Sequence, residues 1–283
     1  MGAPRITPMK RPADKPKERK AAEQVKHIEE RSTPPTPVIY EIVRRYGEEE
    51  MARPAASLWW SGLAAGLSIS FSLFAEAILR MHLPDAEWRP LVVAFGYPIG
   101  FLMVVLARQQ LFTENTITVV LPVVAHPSAR NFQRGGRMWA IVLAANMAGT
   151  LAAALFITFT PVVDDGLREA MLAVSRKPME YSWLEVGLRG ITAGFLMAAM
   201  VWLIPAAESA QFHVIVAMTW LIAVSGSAHI VAGSVGAFLL LATGELGAGA
   251  TIGGFLLPVL AGNIIGGTAL FAMIAYAQVM KEI

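Results

Sequence analysis

Cysteine is absent from the 283 residues, so no disulfide frame, thiolate nucleophile or Cys-ligated metal is available. Charge is scarce: 16% of residues are Asp, Glu, Lys or Arg, against about 25% in a soluble globular domain. Histidine occurs 5 times, with no two at metal-ligand spacing. The paired acids Asp164 and Asp165 have no histidine nearby. No nucleophile, acid–base pair or metal cluster can be assembled from this inventory, which argues against an enzyme and against a metal or cofactor site. What replaces charge is apolar: 55% of residues are hydrophobic and the mean hydropathy is +0.53. That composition points to a polytopic membrane protein.

Two compositions share the chain. Of 23 Lys and Arg, 12 fall within residues 1–55. Residues 1–37 carry charge, Ala and Pro without an apolar period, so a disordered basic tail is expected. Its basic charge suits the anionic inner leaflet, and it lacks the interleaved aromatics that nucleic-acid binding would favour. Residues 38–55 differ: Val38, Ile39, Ile42, Val43 and Tyr46 recur at helical spacing between charged residues. This is an amphipathic juxtamembrane helix, at the membrane surface or against the mouth of the protein. Residues 56–283 form the membrane domain, with six hydrophobic segments at 56–79, 91–121, 138–160, 183–204, 212–243 and 251–279. About 20 apolar residues span a bilayer. The second and fifth segments exceed that and hold polar residues mid-way, so both are expected to break. The basic tail places the N-terminus in the cytoplasm, six crossings return the C-terminus there, and segments 80–90 and 161–182 become external loops.

Three spans per half require the second half to be inverted. Echoes support this: Gly62 and Gly66 open segment one as Gly190 and Gly194 open segment four, and Asn146 in segment three answers Asn263 in segment six. Thr113 precedes Asn146 by 33 residues and His229 precedes Asn263 by 34. Interrupted helices at matching places in inverted halves point to a transport site.

Leu111-Phe112-Thr113, His229, Gly262-Asn263-Ile264-Ile265-Gly266-Gly267 and the entry Arg53-Pro54-Ala55 carry a resemblance to the formate/nitrite transporter family over about residues 38–280. The resemblance implies an all-α, aquaporin-like fold of six tilted transmembrane helices with helices two and five broken. It also implies a homopentamer with one pore per protomer, passing small monovalent weak-acid anions across the inner membrane without a cofactor. The pore threonine maps onto Thr113 and the pore histidine onto His229, and the apolar constrictions onto Tyr97, Phe101, Leu111, Phe112 and Ile222. Where the family carries two pore asparagines, this chain has Gly194 and Gly233; Lys177 approximates a lysine before helix four.

His229 then reads in two ways: as a hydrogen-bond or proton donor to a passing anion, or as a structural histidine satisfied by a carbonyl of the unwound helix. The resemblance favours the first. Arg108 and Arg189, inside hydrophobic segments, either draw anions into a vestibule or pair with Glu114, Glu185 or Glu76. Two other functions stand beside an anion pore. A neutral-solute channel would suit the missing asparagines, and a non-transporting scaffold would act through its tail.

Overall fold

The computed structural model describes residues 34–283; residues 1–33 of the tail expected at 1–37 lie outside them. All regular structure among the described residues is helical. In chain order the helices are α1 (Thr36–Ala52), α2 (Ala55–His82), α3 (Arg89–Leu106), α4 (Asn115–Ala125), α5 (Ala129–Phe159), α6 (Asp165–Arg176), α7 (Trp183–Ala207), α8 (Gln211–Val224), α9 (Ile230–Ala242) and α10 (Ala250–Val279). Five helical stretches are long and apolar enough to cross a membrane: α2, α3, α5, α7 running on into α8, and α10. Helices α4 and α9 are shorter and apolar. Large apolar side chains such as Phe71, Phe95, Phe156, Phe159 and Ile274 stand exposed, a surface suited to lipid or a neighbouring protomer rather than water.

Helix α2 packs along α5, and α7 along α10. Small residues bring the backbones together. A Cβ on Gly66 would meet the Gly149 Cα at 2.9 Å, and one on Gly190 would meet the Gly262 Cα at 3.2 Å. Two asparagines tie these pairs to the non-helical stretches beside them. Asn146 Oδ1 accepts from the Phe112 N–H at 2.9 Å, while its Nδ2 donates to the carbonyls of Gly62 and Gln110 at 2.8 and 2.9 Å. Asn263 Oδ1 accepts from the Ile230 N–H at 2.8 Å, and its Nδ2 donates to Gly190 and Ala228, both at 2.8 Å. Each amide thus satisfies two backbone groups of a non-helical stretch, which a buried chain must do, and anchors them to a helical carbonyl.

The stretches themselves turn alike. After α3, the Gln109 N–H donates to Val104 O at 2.9 Å; after α8, the Ser227 N–H donates to Ile222 O at 3.0 Å. Both turns need a left-handed residue. One uses Gly226 at φ +65°; the other forces Arg108 to φ +52°, which costs an L-residue of this size about 1 kcal/mol or more. Arg108→Gly is therefore expected to raise the melting temperature of the purified protein slightly.

Two parts depart from the sequence expectation. The stretch 161–182, expected as a loop, contains α6, capped by Asp164, whose Oδ1 accepts from the Leu167 N–H at 2.8 Å. Its Met171, Leu172 and Ser175 are buried as it packs on α2 and α9, and Arg176 at its end bonds Glu169 and Glu245 at 2.6 and 2.7 Å. The mixed charge that suggested a loop is the outer face of an amphipathic helix. In α1 the buried side is Tyr40, Val43, Gly47 and Met51, whereas Val38 and Tyr46 stand exposed. Gly47 lets α1 press on the Thr118 carbonyl, where a Cβ would overlap. On the outer side, hydrogen bonds from Arg44 and Arg45 hold the Glu41 carboxyl down at about 2.

Candidate functional site

The two non-helical stretches meet side chain to side chain. His229 stands at the N-terminus of α9, where its Nδ1 accepts from the Ala232 N–H at 3.1 Å and caps the helix. That bond fixes the tautomer: Nδ1 has a lone pair, so Nε2 carries the hydrogen. Nε2 lies 2.7 Å from Thr113 Oγ1 and donates to it. The Thr113 hydroxyl hydrogen remains free to donate elsewhere. Both side chains are buried. The edge-to-face Phe101 ring lies 5.1 Å from the imidazole, and Tyr97 continues the series 5.0 Å from Phe101.

Two cavities approach this pair. The first, about 400 Å³, is lined by Glu76, Arg80, Tyr97, Lys177, Tyr181 and the stretch 225–228, among others. The second, about 570 Å³, is lined by residues including Glu50, Arg108, Gln109, Gln110, Glu114 and Thr118. Tyr97 borders the first and Val105, eight residues along α3, borders the second, a separation of about 12 Å at helical rise. Phe101, Leu111, Phe112, Thr113, Ile222 and His229 border neither cavity and are all buried. They are a buried group whose side-chain polar atoms are those of one imidazole and one hydroxyl.

Gly194 and Gly233, which the sequence placed on the pathway, each pack closely against a neighbouring residue. A Cβ on Gly194 would run into the Asn263 backbone, and one on Gly233 would lie 2.7 Å from Phe255 Cζ. Neither glycine opens a hole where a side chain is missing; Gly194 seats α10 and the Phe255 ring covers Gly233. Gly233→Asn is expected to destabilise the fold by about 1–3 kcal/mol through overpacking against Phe255. Thermal melting in detergent checks this.

The charged residues divide between the mouths. Lys177 lines the first cavity. Arg189 takes the pairing option: it bonds Glu185 at 3.0 Å and Gly226 O at 3.2 Å and stacks 3.8 Å over Tyr181. Arg108 lines the second cavity with its guanidinium 5.7 Å from the Tyr46 ring centroid. The sequence reading missed Glu50. Its carboxyl on α1 accepts from Gln110 Nε2 and Thr118 Oγ1, both at 3.0 Å, so α1 is tied to both flanks of Leu111-Phe112-Thr113. Burial pushes this carboxyl up, opposed by those two bonds. The one available signal is Gly47, a helical turn earlier on the same side.

The comparisons with known proteins fall on these residues. Residues 37–277 match the family model for formate/nitrite transporters. The chain belongs to the formate/nitrite transporter family. It is an integral membrane protein, and members of this family are channels and transporters rather than enzymes. The inner membrane protein YfdC of Escherichia coli is 39% identical over 265 residues, 94% of this chain and 86% of that one. The formate channel FocA of Haemophilus influenzae is 26% identical over 53% of this chain and 54% of its own length. A pentameric formate channel solved with formate bound superposes with a TM-score of 0.68 at 19% identity, covering 80% of this chain and 98% of that one. This last likeness extends the family assignment to the fold.

Proposed function

We propose that the protein conducts small monovalent weak-acid anions, of the formate or nitrite kind, across the inner membrane. The Thr113–His229 hydrogen bond carries this reading: it is the polar step in an otherwise apolar partition between two cavities of about 400 and 570 Å³. An isolated anion would lose several kcal/mol of hydration there, whereas the neutral acid crosses far more cheaply. The imidazole N–H and the threonine hydroxyl give either species a donor at mid-passage. Arg108 at one mouth and Lys177 at the other raise local anion concentration.

The architecture proposed is an inverted repeat of two three-span halves. Helices α3 and α4 form a broken second span, and α8 and α9 a broken fifth. The matching asparagine bonds, matching left-handed turns and matching glycine contacts of the two halves support it. Both termini lie in the cytoplasm, by the basic tail and six crossings, and five copies assemble as in the pentameric formate channel. Gly194 and Gly233 serve packing in this reading, and the pathway runs past Tyr97, Phe101, Leu111, Phe112, Ile222, Thr113 and His229.

The experiment is stopped-flow light scattering with an internal pH dye on proteoliposomes challenged with formate, nitrite, acetate and hydrosulfide. Rapid flux of at least one anion, inhibited by the others, is expected. Passage of glycerol without any anion would replace this reading with a neutral-solute channel. No passage of either by folded oligomer would leave the scaffold.

A further inference from the structure

The larger cavity contains a carboxyl group that the pathway described above does not use. Glu114 follows Thr113 directly in the chain and faces the same space as Glu50, Gln109 and Arg108. Its Oε1 is shut off from solvent and has no hydrogen-bond partner; Gln109 Oε1 on the same wall is in the same condition. Among the described residues no ion pair involves Glu114. The titratable and charged groups lining that cavity are Tyr46, Glu49, Glu50 and Arg53 from the α1 region and Arg108 from its own segment. Helix α7 brings Met200, Val201, Ile204 and Pro205, and Gln211 brings an amide, so neither adds a charge. The oxygens of Glu50 are already taken by Gln110 and Thr118.

An ionised carboxylate with an orphaned, buried oxygen costs several kcal/mol. In the mouth of an anion pathway it would also turn the anion away. A protonated carboxyl removes both penalties and supplies an O–H donor. The imidazole is badly placed to act as the proton source. Its Nδ1 lone pair is engaged by the Ala232 N–H, so charging the ring would set two N–H groups against each other and uncap α9. A proton that travels with the anion must come from another group, and Glu114 is next to Thr113 on the cavity side.

We propose that Glu114 holds a proton in the resting protein and hands it to the anion arriving from the larger cavity, so that anion and proton cross together as the neutral acid. This rests on the anion reading above. In the step, the Glu114 O–H bond breaks and an O–H bond forms on the anion (S–H for hydrosulfide). Glu114 is left as carboxylate until hydronium in the cavity water returns the proton. Beyond the partition the neutral acid releases its proton to water. His229 keeps its tautomer throughout and acts as a hydrogen-bond donor only.

The test compares the full-length wild type with Glu114→Gln in proteoliposomes, following anion flux and internal pH together across a range of external pH. The amide keeps the size and polarity of the side chain and has no proton to give. Flux of E114Q is expected to fall by about 100-fold at neutral pH. The deficit should narrow in acid, where solution supplies the neutral acid. In the infrared difference spectrum of wild type minus E114Q at neutral pH, the C=O stretch of a protonated carboxyl should be present. An unchanged flux and pH profile in E114Q would overturn the proposal. So would a uniform loss at every pH, or an infrared difference spectrum without that band. A folded wild type passing no anion would overturn the function proposed above and this step with it; wild-type flux with an unaltered E114Q profile overturns this step alone.

Discussion

His229→Asn is expected to leave the protein folded and to cut anion flux by about 100-fold. Asparagine is among the best N-cap residues, so its side chain can take the Ala232 N–H that Nδ1 now accepts, and α9 keeps its start. What it loses is reach. The bond from Nε2 to Thr113 Oγ1 spans 2.7 Å from the far edge of an imidazole, and the shorter amide cannot make it from the same Cα. The partition then has no donor on the α9 side. A single preorganised donor facing developing or passing charge in a water-excluded site is worth about 100- to 1,000-fold in rate. Stopped-flow flux in proteoliposomes measures the loss, and thermal melting in detergent confirms that the cap survives. Flux equal to wild type would assign His229 to capping alone. The comparison separates the two roles that this residue combines.

Asn263→Ala is expected to have the largest effect on stability. The amide serves three buried backbone groups: the Ile230 N–H and the carbonyls of Gly190 and Ala228. Alanine strands the Ile230 N–H and the Ala228 carbonyl in the membrane interior, at about 1–3 kcal/mol each, while the Gly190 carbonyl keeps its bond within α7. The sum is a large fraction of the stability of a typical domain, about 5–15 kcal/mol. A sharp drop in monodisperse protein on size-exclusion chromatography, with a lower melting temperature for any that remains, is the expected result. Asn146→Ala removes the corresponding three bonds in the other half and should match it closely. A mild effect of either would show that water or a shifted backbone can satisfy the unwound stretch. Asn263→Asp is no rescue: it keeps the acceptor for Ile230 but sets a second oxygen against two carbonyls.

Hydrophobic runs of about 20 residues need no partner to be recognised, because the bilayer is the solvent that selects them. The membrane class and the broad positions of the apolar segments were therefore legible from residues 56–283 alone, and the family from motifs between Arg53 and Gly267. The overlong runs with polar residues inside them hold the non-helical stretches 107–114 and 225–229. Amphipathic elements were harder. Helix α6 was hidden in a charged stretch, and the buried side of α1 came out partly wrong. Both bury a narrow face whose direction is set by what they pack against, not by their own spacing.

The meaning of the individual site residues came from contacts far apart in the chain. Gly194 and Gly233 stand where the family carries pore asparagines, and only the fold shows the Asn263 backbone and the Phe255 ring packed against them. Glu114 read as a pairing partner for Arg108 and Glu50 drew no notice, yet both line one cavity. The sequence by itself determined which segments leave water, since that choice depends only on local composition. Tertiary structure decided which polar groups meet inside. His229 and Thr113 are 116 residues apart, and their bond exists only because Asn146 and Asn263 hold two unwound stretches against each other. Hydrogen bonds depend on distances of a few ångströms, and such distances belong to the packed fold rather than to any segment of it.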